Sequence, residues 1–329
     1  MTDKVRIGFI GSGNIALWHV DRLRNCGQNE IVALSDPSAA SLAMTKEKRP
    51  ELAGVPTFAD YRQMLAQVPM DAVEIHSPHC FHPQQILDSL DAGKHVLCEK
   101  PLTSSVADAR KVIAKRDETG KILMISYQRH FSPVYRYMRE QALSGALGKV
   151  QNAVLVLTQD WLRSQRGTWR QDPKLSCGGQ LNDSGSHVVD MMLWCTGLQA
   201  QEVYAQMNSF DIPVDVDSAI TVRFTNGAIG NVTVLGSTPG YWEMFGIWGT
   251  EGSVSYDITS GLVRQVFGSQ PEKPELPPAS SDPDANFVRS ILGSEQVEVP
   301  AECGLRVIEL TEAAWRSAAS GKPVSVGEM

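Results

Sequence analysis

Residues 11–16 read Gly-Ser-Gly-Asn-Ile-Ala, directly after an apolar run at 5–10 and at the start of a helical pattern at 13–25. The stretch fits the form G-x-G-x-x-[GA]. Gly11 is suited to a tight turn, Gly13 lets a pyrophosphate approach the backbone, and a small sixth residue lets the helix pack closely on the strand. The first amides of the helix face the anion. The strand-turn-helix context favours a dinucleotide-binding turn over a glycine turn without a ligand, with contacts expected from Gly11, Gly13, Asn14 and Ile15.

The first part of the chain continues with alternating strand and helix patterns. Short β-branched runs predict further strands at 31–35, 72–75, 95–98 and 122–125. Helical patterns lie between them at 58–66, 83–92 and 104–118. Alternation of this kind predicts a parallel sheet with helices on both faces. We therefore predict an α/β protein whose N-terminal domain, residues 1–125, is a Rossmann-type doubly wound parallel sheet.

Beyond about residue 126 the pattern changes to long alternating segments. They lie at 149–159, 201–209, 217–225, 228–236, 242–248 and 253–257. Asn226-Gly227, between two of them, is a strong hairpin signal. Residues 126–329 are therefore predicted to form a second α/β domain with a large, open, mainly antiparallel sheet, and helices are expected near its end at 284–293 and 302–319.

The composition excludes several classes of function. The chain has 329 residues, of which 42% are hydrophobic, enough for two cores. A formal net charge of −7 argues against a nucleic-acid surface, which needs clustered Lys and Arg. No stretch has the apolar length of a membrane span, and residues 1–6 lead into a strand rather than a signal peptide. We expect a cytoplasmic protein that acts on a small molecule, with no nucleic-acid or membrane partner.

The six cysteines lie far apart and form no Cys-x-x-Cys pair. Neither a disulfide framework nor a zinc site follows from such spacing. We expect free thiols and no metal.

Asp36 ends the second predicted strand, where an acidic side chain can accept hydrogen bonds from the adenosine ribose hydroxyls and would repel a 2′-phosphate. No Arg or Lys occurs at 37–40 to neutralise such a phosphate. The sequence therefore favours NAD over NADP. The alternative is an aspartate that only initiates a turn before Pro37.

A lysine follows the strand at 95–98, in the sequence Glu99-Lys100-Pro101. Ligands of open parallel sheets bind beyond the carboxyl ends of the strands, so Lys100 is expected to face the cofactor crevice. Pro101 disfavours the α conformation for Lys100. An ammonium group there can stabilise negative charge that develops on a substrate oxygen. The alternative is a lysine that only extends from a strand end to solvent.

A second candidate group lies at 178–190, where a glycine loop becomes an amphipathic helix. Asp183 and His187 are four residues apart, which places them on one face of a helix. A carboxylate and an imidazole can accept and relay the proton of an alcohol. The alternatives are that Asp183 is only a helix N-cap and His187 only a packed core residue.

Other polar and aromatic residues are candidates for the cofactor or substrate. Those after the third strand are expected to line the nicotinamide end: Ser77, Pro78, His79 and His82. His82 could equally cap the helix that starts at Pro83. Tyr127 and Arg129 follow the fifth strand and are candidate substrate contacts, although an ion pair between domains is the alternative role for Arg129.

Residues 160–172 concentrate aromatic and cationic side chains, among them Trp161, Arg163 and Trp169. Tryptophan stacks on sugar rings and arginine pairs with carboxylates, so these three are candidate contacts to a glycoside or an acidic sugar. The alternative is a subunit contact, because both residue types also anchor interfaces. The sequence leaves this choice open.

Three motifs in this order, GSGNIA at 11–16, CEKP at 98–101 and GGQLNDSGSHVVD at 178–190, resemble the Gfo/Idh/MocA family, named for glucose-fructose oxidoreductase and inositol dehydrogenase. The segments 77–103 and 248–257 are also similar to that family, so the resemblance covers essentially the whole chain. It implies a Rossmann domain, a second domain whose open sheet is often used for dimer or tetramer contacts, and NAD(P)-dependent oxidation or reduction of sugars, polyols and related compounds.

The resemblance also assigns roles to residues. The family's catalytic lysine, aspartate and histidine fall on Lys100, Asp183 and His187, and His82 resembles a position that the family usually keeps as histidine. Glu99 is expected to serve the cofactor pocket or Lys100. The leading function is a dehydrogenase with dissociable NAD. A redox-neutral glycosidase or epimerase, which oxidises a sugar transiently, and a nucleotide-binding sensor without catalysis remain alternatives.

Overall fold

The computed structural model describes residues 4–279 and 281–327, and they form two compact units. Unit 1 contains 4–103, 107–128 and 281–304, and unit 2 contains 104–106, 129–279 and 305–327. The segment 281–304 thus belongs to unit 1 although it follows most of unit 2 in the chain. The single boundary predicted between residues 125 and 126 does not include this return of the chain.

The strands, in chain order, are β1 (Val5–Ile10), β2 (Asn29–Ser35), β3 (Thr57–Phe58), β4 (Ala72–Ile75), β5 (His95–Cys98), β6 (Leu123–Ile125), β7 (Val150–Thr158), β8 (Ala200–Asn208), β9 (Asp217–Phe224), β10 (Ile229–Leu235), β11 (Trp242–Gly249), β12 (Gly252–Asp257), β13 (Gly261–Val266) and β14 (Val324–Ser325).

The α-helices are α1 (Asn14–Cys26), α2 (Ala39–Lys48), α3 (Tyr61–Gln67), α4 (His82–Asp91), α5 (Val106–Thr119), α6 (Pro133–Leu143), α7 (Trp161–Ser164), α8 (Pro173–Ser176), α9 (Gly185–Thr196), α10 (Pro283–Ile291) and α11 (Ala301–Ser320). Short 3-10 turns lie at Pro50–Leu52, His79–Phe81, Gln128–Phe131 and Trp169–Gln171.

The sheet of unit 1 has six parallel strands in the order β3-β2-β1-β4-β5-β6. The strand order reverses between β1 and β4, and the crevice beyond the carboxyl ends of such strands is where ligands bind in this architecture. The central strand β4 is buried at all of its positions, as expected for a sheet covered on both faces. The predicted doubly wound parallel sheet is confirmed.

The sheet of unit 2 has eight strands in the order β13-β12-β11-β7-β10-β9-β8-β14. All neighbours pair antiparallel except β7 and β10, which are parallel. The predicted hairpin at Asn226-Gly227 connects β9 to β10, and Gly227 has the positive φ of +87° that this turn requires. Buried and exposed residues alternate along β9, so one face is packed and the other is exposed. The large, mainly antiparallel sheet is confirmed.

Elements that the sequence patterns did not indicate include α2 and α6. Thr45 is the only buried residue of α2, so this helix has almost no apolar periodicity to detect. Its start is instead fixed by Ser38, whose hydroxyl accepts a hydrogen bond from the Ser41 amide at 3.2 Å.

No helix in the described ranges is long and apolar enough to cross a lipid bilayer. The six cysteines form no disulfide bond among the residues that the structure describes.

Candidate active site

The glycine turn between β1 and α1 has the shape of a dinucleotide site. Gly11 has φ of +96°, and a Cβ atom there would lie 2.8 Å from the backbone carbonyl carbon of His76, so only glycine fits. At Gly13 the side that a Cβ would occupy has no described heavy atom within 4 Å. Gly13 is also the N-cap of α1, and no described side chain caps this helix. The amides of its first turn therefore suit a pyrophosphate.

Asp36 closes one side of this turn. Its two carboxylate oxygens accept hydrogen bonds from the amides of Ser12 and Ser38, each at 2.8 Å. Each oxygen keeps a further lone pair, and the side chain is half-buried at the end of β2. These contacts fit a carboxylate that is held in place to accept hydrogen bonds from ribose hydroxyls. The glycine turn and Asp36 together fit the adenosine-pyrophosphate half of a nicotinamide dinucleotide.

The loops after β4 and β5 are joined by His82. Its Nε2 lies 2.9 Å from the carbonyl oxygen of Ser77, and its Nδ1 lies 2.8 Å from that of Pro101. The ring is fully buried, and burial lowers its pKa. Because α4 begins at His82 itself and has no side-chain cap, the structure favours a loop-holding role over a helix cap.

The neighbours of His82 occupy the same loop. The Ser77 hydroxyl donates to the amide oxygen of Gln85 at 2.5 Å. Pro78 is half-buried, and His79 is buried at the start of a 3-10 turn. The structure therefore places this predicted group together, at the carboxyl end of β4.

Lys100 lies two residues beyond β5 and is half-buried. Its amide donates to Glu99 Oε2 at 3.3 Å. Glu99 Oε1 lies 3.1 Å from Nε2 of His19 on α1. Glu99 thus connects the lysine loop to the first helix, in keeping with the expected support of Lys100.

In unit 2, Asp183 precedes α9, which begins at Gly185. The expectation of one helix carrying both Asp183 and His187 is therefore corrected: His187 is in the first turn and Asp183 is in the turn before it. Asp183 is 4% exposed, and its Oδ2 accepts hydrogen bonds from Trp161 Nε1 and Arg170 Nε, both at 3.0 Å. The N-cap position is Ser184, so Asp183 does not cap this helix. His187 is half-buried.

Trp161 is only 3% exposed and packs against Val214 and Val216. Its indole N–H is directed at Asp183, so the ring presents no open face for stacking on a sugar. Trp169 is half-buried, with the guanidinium of Arg170 4.5 Å from the centre of its ring. The structure thus connects this loop to Asp183 through hydrogen bonds that sequence reasoning did not predict.

Among the other substrate candidates, Arg163 is exposed on α7, whereas Tyr127 is fully buried in unit 1. Arg129 donates to both carboxylate oxygens of Glu243, at 2.9 and 2.6 Å. Tyr241 also donates to this carboxylate, at 2.7 Å. Although burial opposes it, the charge of Glu243 raises the pKa of Arg129. The ion pair of Arg129 therefore lies within unit 2 instead of joining domains.

Sequence reasoning missed Asp215, which holds the loop that leads to Asp183. Its carboxylate accepts hydrogen bonds from the amides of Gly179 at 3.0 Å and Leu181 at 2.8 Å. It also accepts one from the indole of Trp315 at 3.0 Å. A Cβ at Gly179 would lie 1.9 Å from the Asp215 carbonyl oxygen, so the two loops approach closely. The only local signal was an aspartate between two valines, typical of any strand entry.

Two family models match the chain in succession. The model of the oxidoreductase family with an NAD-binding Rossmann fold matches residues 5–127, and the model of the GFO/IDH/MocA C-terminal domain matches residues 135–255. The chain belongs to the Gfo/Idh/MocA family. Membership confirms the resemblance found in the sequence and makes this chain an NAD(P)-dependent oxidoreductase with an NAD-binding Rossmann domain.

Individual members of the Gfo/Idh/MocA family align over most of the chain. It is 25% identical to the uncharacterized oxidoreductase YrbE of Bacillus subtilis, over 99% of this chain and 98% of that protein. It is 28% identical to myo-inositol 2-dehydrogenase of Thermotoga maritima, over 77% of this chain and 75% of that protein. Among solved structures, levoglucosan dehydrogenase in complex with NADH and levoglucosan has the same fold, with a TM-score of 0.89 at 20% identity over 99% of this chain and 100% of that chain.

Proposed function

We propose that this protein is an NAD-dependent dehydrogenase that oxidises a hydroxyl of a sugar, a sugar derivative or a cyclic polyol to a ketone, or catalyses the reverse reduction. The names of relatives support this substrate class, because they include inositol 2-dehydrogenases and a levoglucosan dehydrogenase. The observation that carries the proposal is the arrangement at the start of α9. There a buried carboxylate with two fixed donors lies one turn before a half-buried histidine.

The nicotinamide ring, when bound, supplies a hydride acceptor or donor. Gly11 and Gly13 would hold the pyrophosphate of this cofactor, and Asp36 would bind its ribose hydroxyls. His187 takes the proton of the substrate hydroxyl. Lys100 donates a hydrogen bond to the same oxygen and stabilises its developing charge. These two roles follow the family motifs.

Asp183 positions the substrate and the proton-accepting histidine. Its Oδ2 already accepts hydrogen bonds from Trp161 and Arg170, which fix the orientation of the carboxylate. A carboxylate fixed in this way can accept a hydrogen bond from a substrate hydroxyl with little reorganisation. Of the three substrate candidates in the preceding loop, Arg163 and Trp169 retain exposed surface for further substrate contacts.

The preference for NAD over NADP follows from Asp36. Its charge would repel a 2′-phosphate, and residues 37–40 are Pro, Ser, Ala and Ala, which provide no compensating cation. We expect catalysis with NAD to exceed that with NADP by at least about tenfold, the effect of about 1.4 kcal/mol. Steady-state kinetics with each cofactor measure this ratio.

The first experiment is an anaerobic assay of the purified protein with NAD or NADP across inositols, aldoses, anhydrosugars, uronic acids and aryl glycosides. We expect net formation of reduced nicotinamide with one sugar or polyol class. Release of aglycone without net reduction would replace the proposal with a redox-neutral glycosidase. Tight NAD binding with no turnover of any compound in either direction would favour a sensor.

The variants Lys100→Ala and His187→Ala test the assigned roles. Each is expected to lower kcat by about two to four orders of magnitude, because each removes charge stabilisation or proton transfer from the reaction. NADH binding, followed by fluorescence titration, should remain within about threefold of the wild-type value. Turnover near the wild-type rate in both variants would contradict the assignment.

A further inference from the structure

A cluster of buried imidazole and carboxylate groups lies within unit 1, next to the glycine turn. His19 comes from α1, Glu74 and His76 from the end of β4, and Asp284 from α10. Glu74, His19 and Asp284 have no exposed surface, and His76 is 7% exposed. We call these four residues the imidazole-carboxylate cluster. The dehydrogenase chemistry proposed above uses none of them.

Polar atoms in the cluster lack ordinary partners. Neither carboxylate oxygen of Glu74 has a hydrogen-bond partner among the described residues, and the same holds for Nε2 of His76. Buried polar groups are nearly always hydrogen-bonded, because an unpaired one forfeits its hydration without compensation. Two unsatisfied buried side chains that face each other therefore indicate a ligand between them.

The spacing of the donor atoms suits a metal ion. The ligand atoms of His19, Glu74 and His76 all lie within 4.8 Å of one another. Glu74 Oε2 is 3.5 Å from His19 Nδ1 and 3.4 Å from His76 Nε2. Zinc bonds of about 2.0–2.2 Å place tetrahedral ligand atoms about 3.3–3.6 Å apart. Asp284 Oδ1 lies 2.7 Å from His19 Nδ1 and outside this group of three residues. It becomes the fourth ligand only when the metal replaces the proton between these two atoms and the carboxylate moves away from the imidazole toward the ion.

The ring nitrogens and the oxygen on the far side of the cluster have partners. His19 Nε2 lies 3.1 Å from Glu99 Oε1, and His76 Nδ1 lies 3.4 Å from the carbonyl oxygen of Gly11. Arg22 donates to Asp284 Oδ2 at 3.3 Å. Metal-binding histidines are typically oriented in this way, with the second ring N–H directed at a carboxylate or a carbonyl.

We propose that the imidazole-carboxylate cluster binds a structural zinc ion. Two neutral imidazoles and two carboxylates leave a Zn²⁺ site without net charge, and nitrogen and oxygen donors are those that zinc accepts. Four protein ligands in a buried site leave no position for substrate. The ion would link α1 and α10 to the end of β4. Because His76 Nδ1 lies next to the carbonyl oxygen of Gly11, the ion would also stabilise the glycine turn. The cysteine spacing, from which no metal is predicted, carries no information on this cluster, because the cluster contains no cysteine and His19 and Asp284 are 265 positions apart.

The test measures metal content and its dependence on the cluster. The full chain is produced in zinc-supplemented medium, passed over a chelating resin and analysed by mass spectrometry for metals. We expect one zinc per chain. Glu74→Gln and His76→Asn should each bind zinc at least about 100-fold more weakly in a competition titration with a chelator. His95→Asn, which removes a histidine outside the cluster, should retain one zinc per chain.

Cobalt substitution provides a readout that does not depend on variants. Protein produced with Co²⁺ in place of zinc should show the visible absorption bands of a four-coordinate site with nitrogen and oxygen ligands, and the metal-loaded chain should melt at a higher temperature than the metal-free chain. A folded, NADH-binding wild-type chain without stoichiometric zinc or cobalt would overturn the proposal. Equal metal content in wild type, Glu74→Gln and His76→Asn would do the same.

Discussion

Gly13 is a glycine that the packing of the folded chain does not require. Its Cβ position is open, so no packing reason requires glycine there. The open side lies at the uncapped start of α1, where a bound pyrophosphate must approach the backbone. We therefore infer that glycine is needed at this position for the cofactor rather than for packing.

Gly13→Ala is expected to raise the Kd for NADH by at least about tenfold, since a methyl group would occupy space needed by the pyrophosphate. The free energy of unfolding should fall by no more than about 1 kcal/mol, because alanine is a poorer N-cap residue than glycine. Gly54→Ala is a matched control, because its Cβ position is also open. An unchanged Kd in Gly13→Ala would contradict the assigned pyrophosphate site.

Trp161→Phe removes the N–H that donates to Asp183 while keeping an aromatic ring in the same apolar pocket. If Asp183 must be held for catalysis, kcat should fall by about tenfold, corresponding to one hydrogen bond to a charged group of about 1.5 kcal/mol. KM should change less than kcat, because the ring itself does not bind substrate. Trp248→Phe, an exposed site on β11, serves as the control. A rise in KM alone would favour direct substrate contact by Trp161.

The loop before α9 depends on Asp215 for its backbone hydrogen bonds. Three N–H groups converge on this carboxylate, a demand that only a side chain with two acceptor oxygens can meet. The loop ends at Asp183, so Asp215 is a positioning residue for the candidate site.

Asp215→Asn should lower the free energy of unfolding at neutral pH by about 1–3 kcal/mol, because the asparagine NH₂ would face an N–H donor. Urea denaturation measures the loss. Asp211→Asn, an exposed aspartate in the same connection, should have no measurable effect. A similar loss in both variants would show that the hydrogen bonds of Asp215 are not responsible.

The difference in free energy of unfolding between the wild type and Asp215→Asn should depend on pH. Burial is the main cause that raises the pKa of Asp215, against the opposing effect of its hydrogen bonds. The folded state therefore holds the Asp215 proton to higher pH than the unfolded state does. The stability of the wild type relative to Asp215→Asn should fall as pH rises from the unfolded pKa through the higher folded one. If the stability of the wild type relative to Asp215→Asn instead increased with pH over this interval, burial would not be what dominates the pKa of Asp215.

The whole chain combines a parallel sheet with a large sheet of which one face is exposed. Exposed hydrophobic side chains on that sheet include Tyr204, Ile229 and Trp248. We propose, with support from the family resemblance, that the protein is a cytoplasmic homodimer or homotetramer that buries this face.

Size-exclusion chromatography with light scattering should therefore give two or four times the chain mass at micromolar concentration. Ile229→Glu should shift the protein toward the monomer, since a buried unpaired charge disfavours association. Glu30→Gln is the control, because Glu30 lies on the sheet of unit 1, and it should not change the oligomeric state. A wild-type monomer would overturn the oligomer proposal.

Sequence reasoning predicted the sheet types because hydrophobic periodicity is a local property. The bounds of β1, β4 and β5 agree with the predicted ranges. It did not indicate α2, whose single buried residue leaves no periodic pattern. It also placed Asp183 on a helix, because the spacing from His187 matches one turn whether or not the helix extends that far.

The amino-acid sequence by itself determined the class of fold, the glycine turn for a dinucleotide and the family of the protein. These depend on short motifs and on residue spacing within one strand or helix. Only the tertiary structure decided which side chains meet from distant positions, such as Asp215 with the 179–181 loop or His19 with Asp284. Such contacts depend on the register and packing of whole elements, and no local pattern along the chain encodes the distance between two atoms that are tens or hundreds of residues apart.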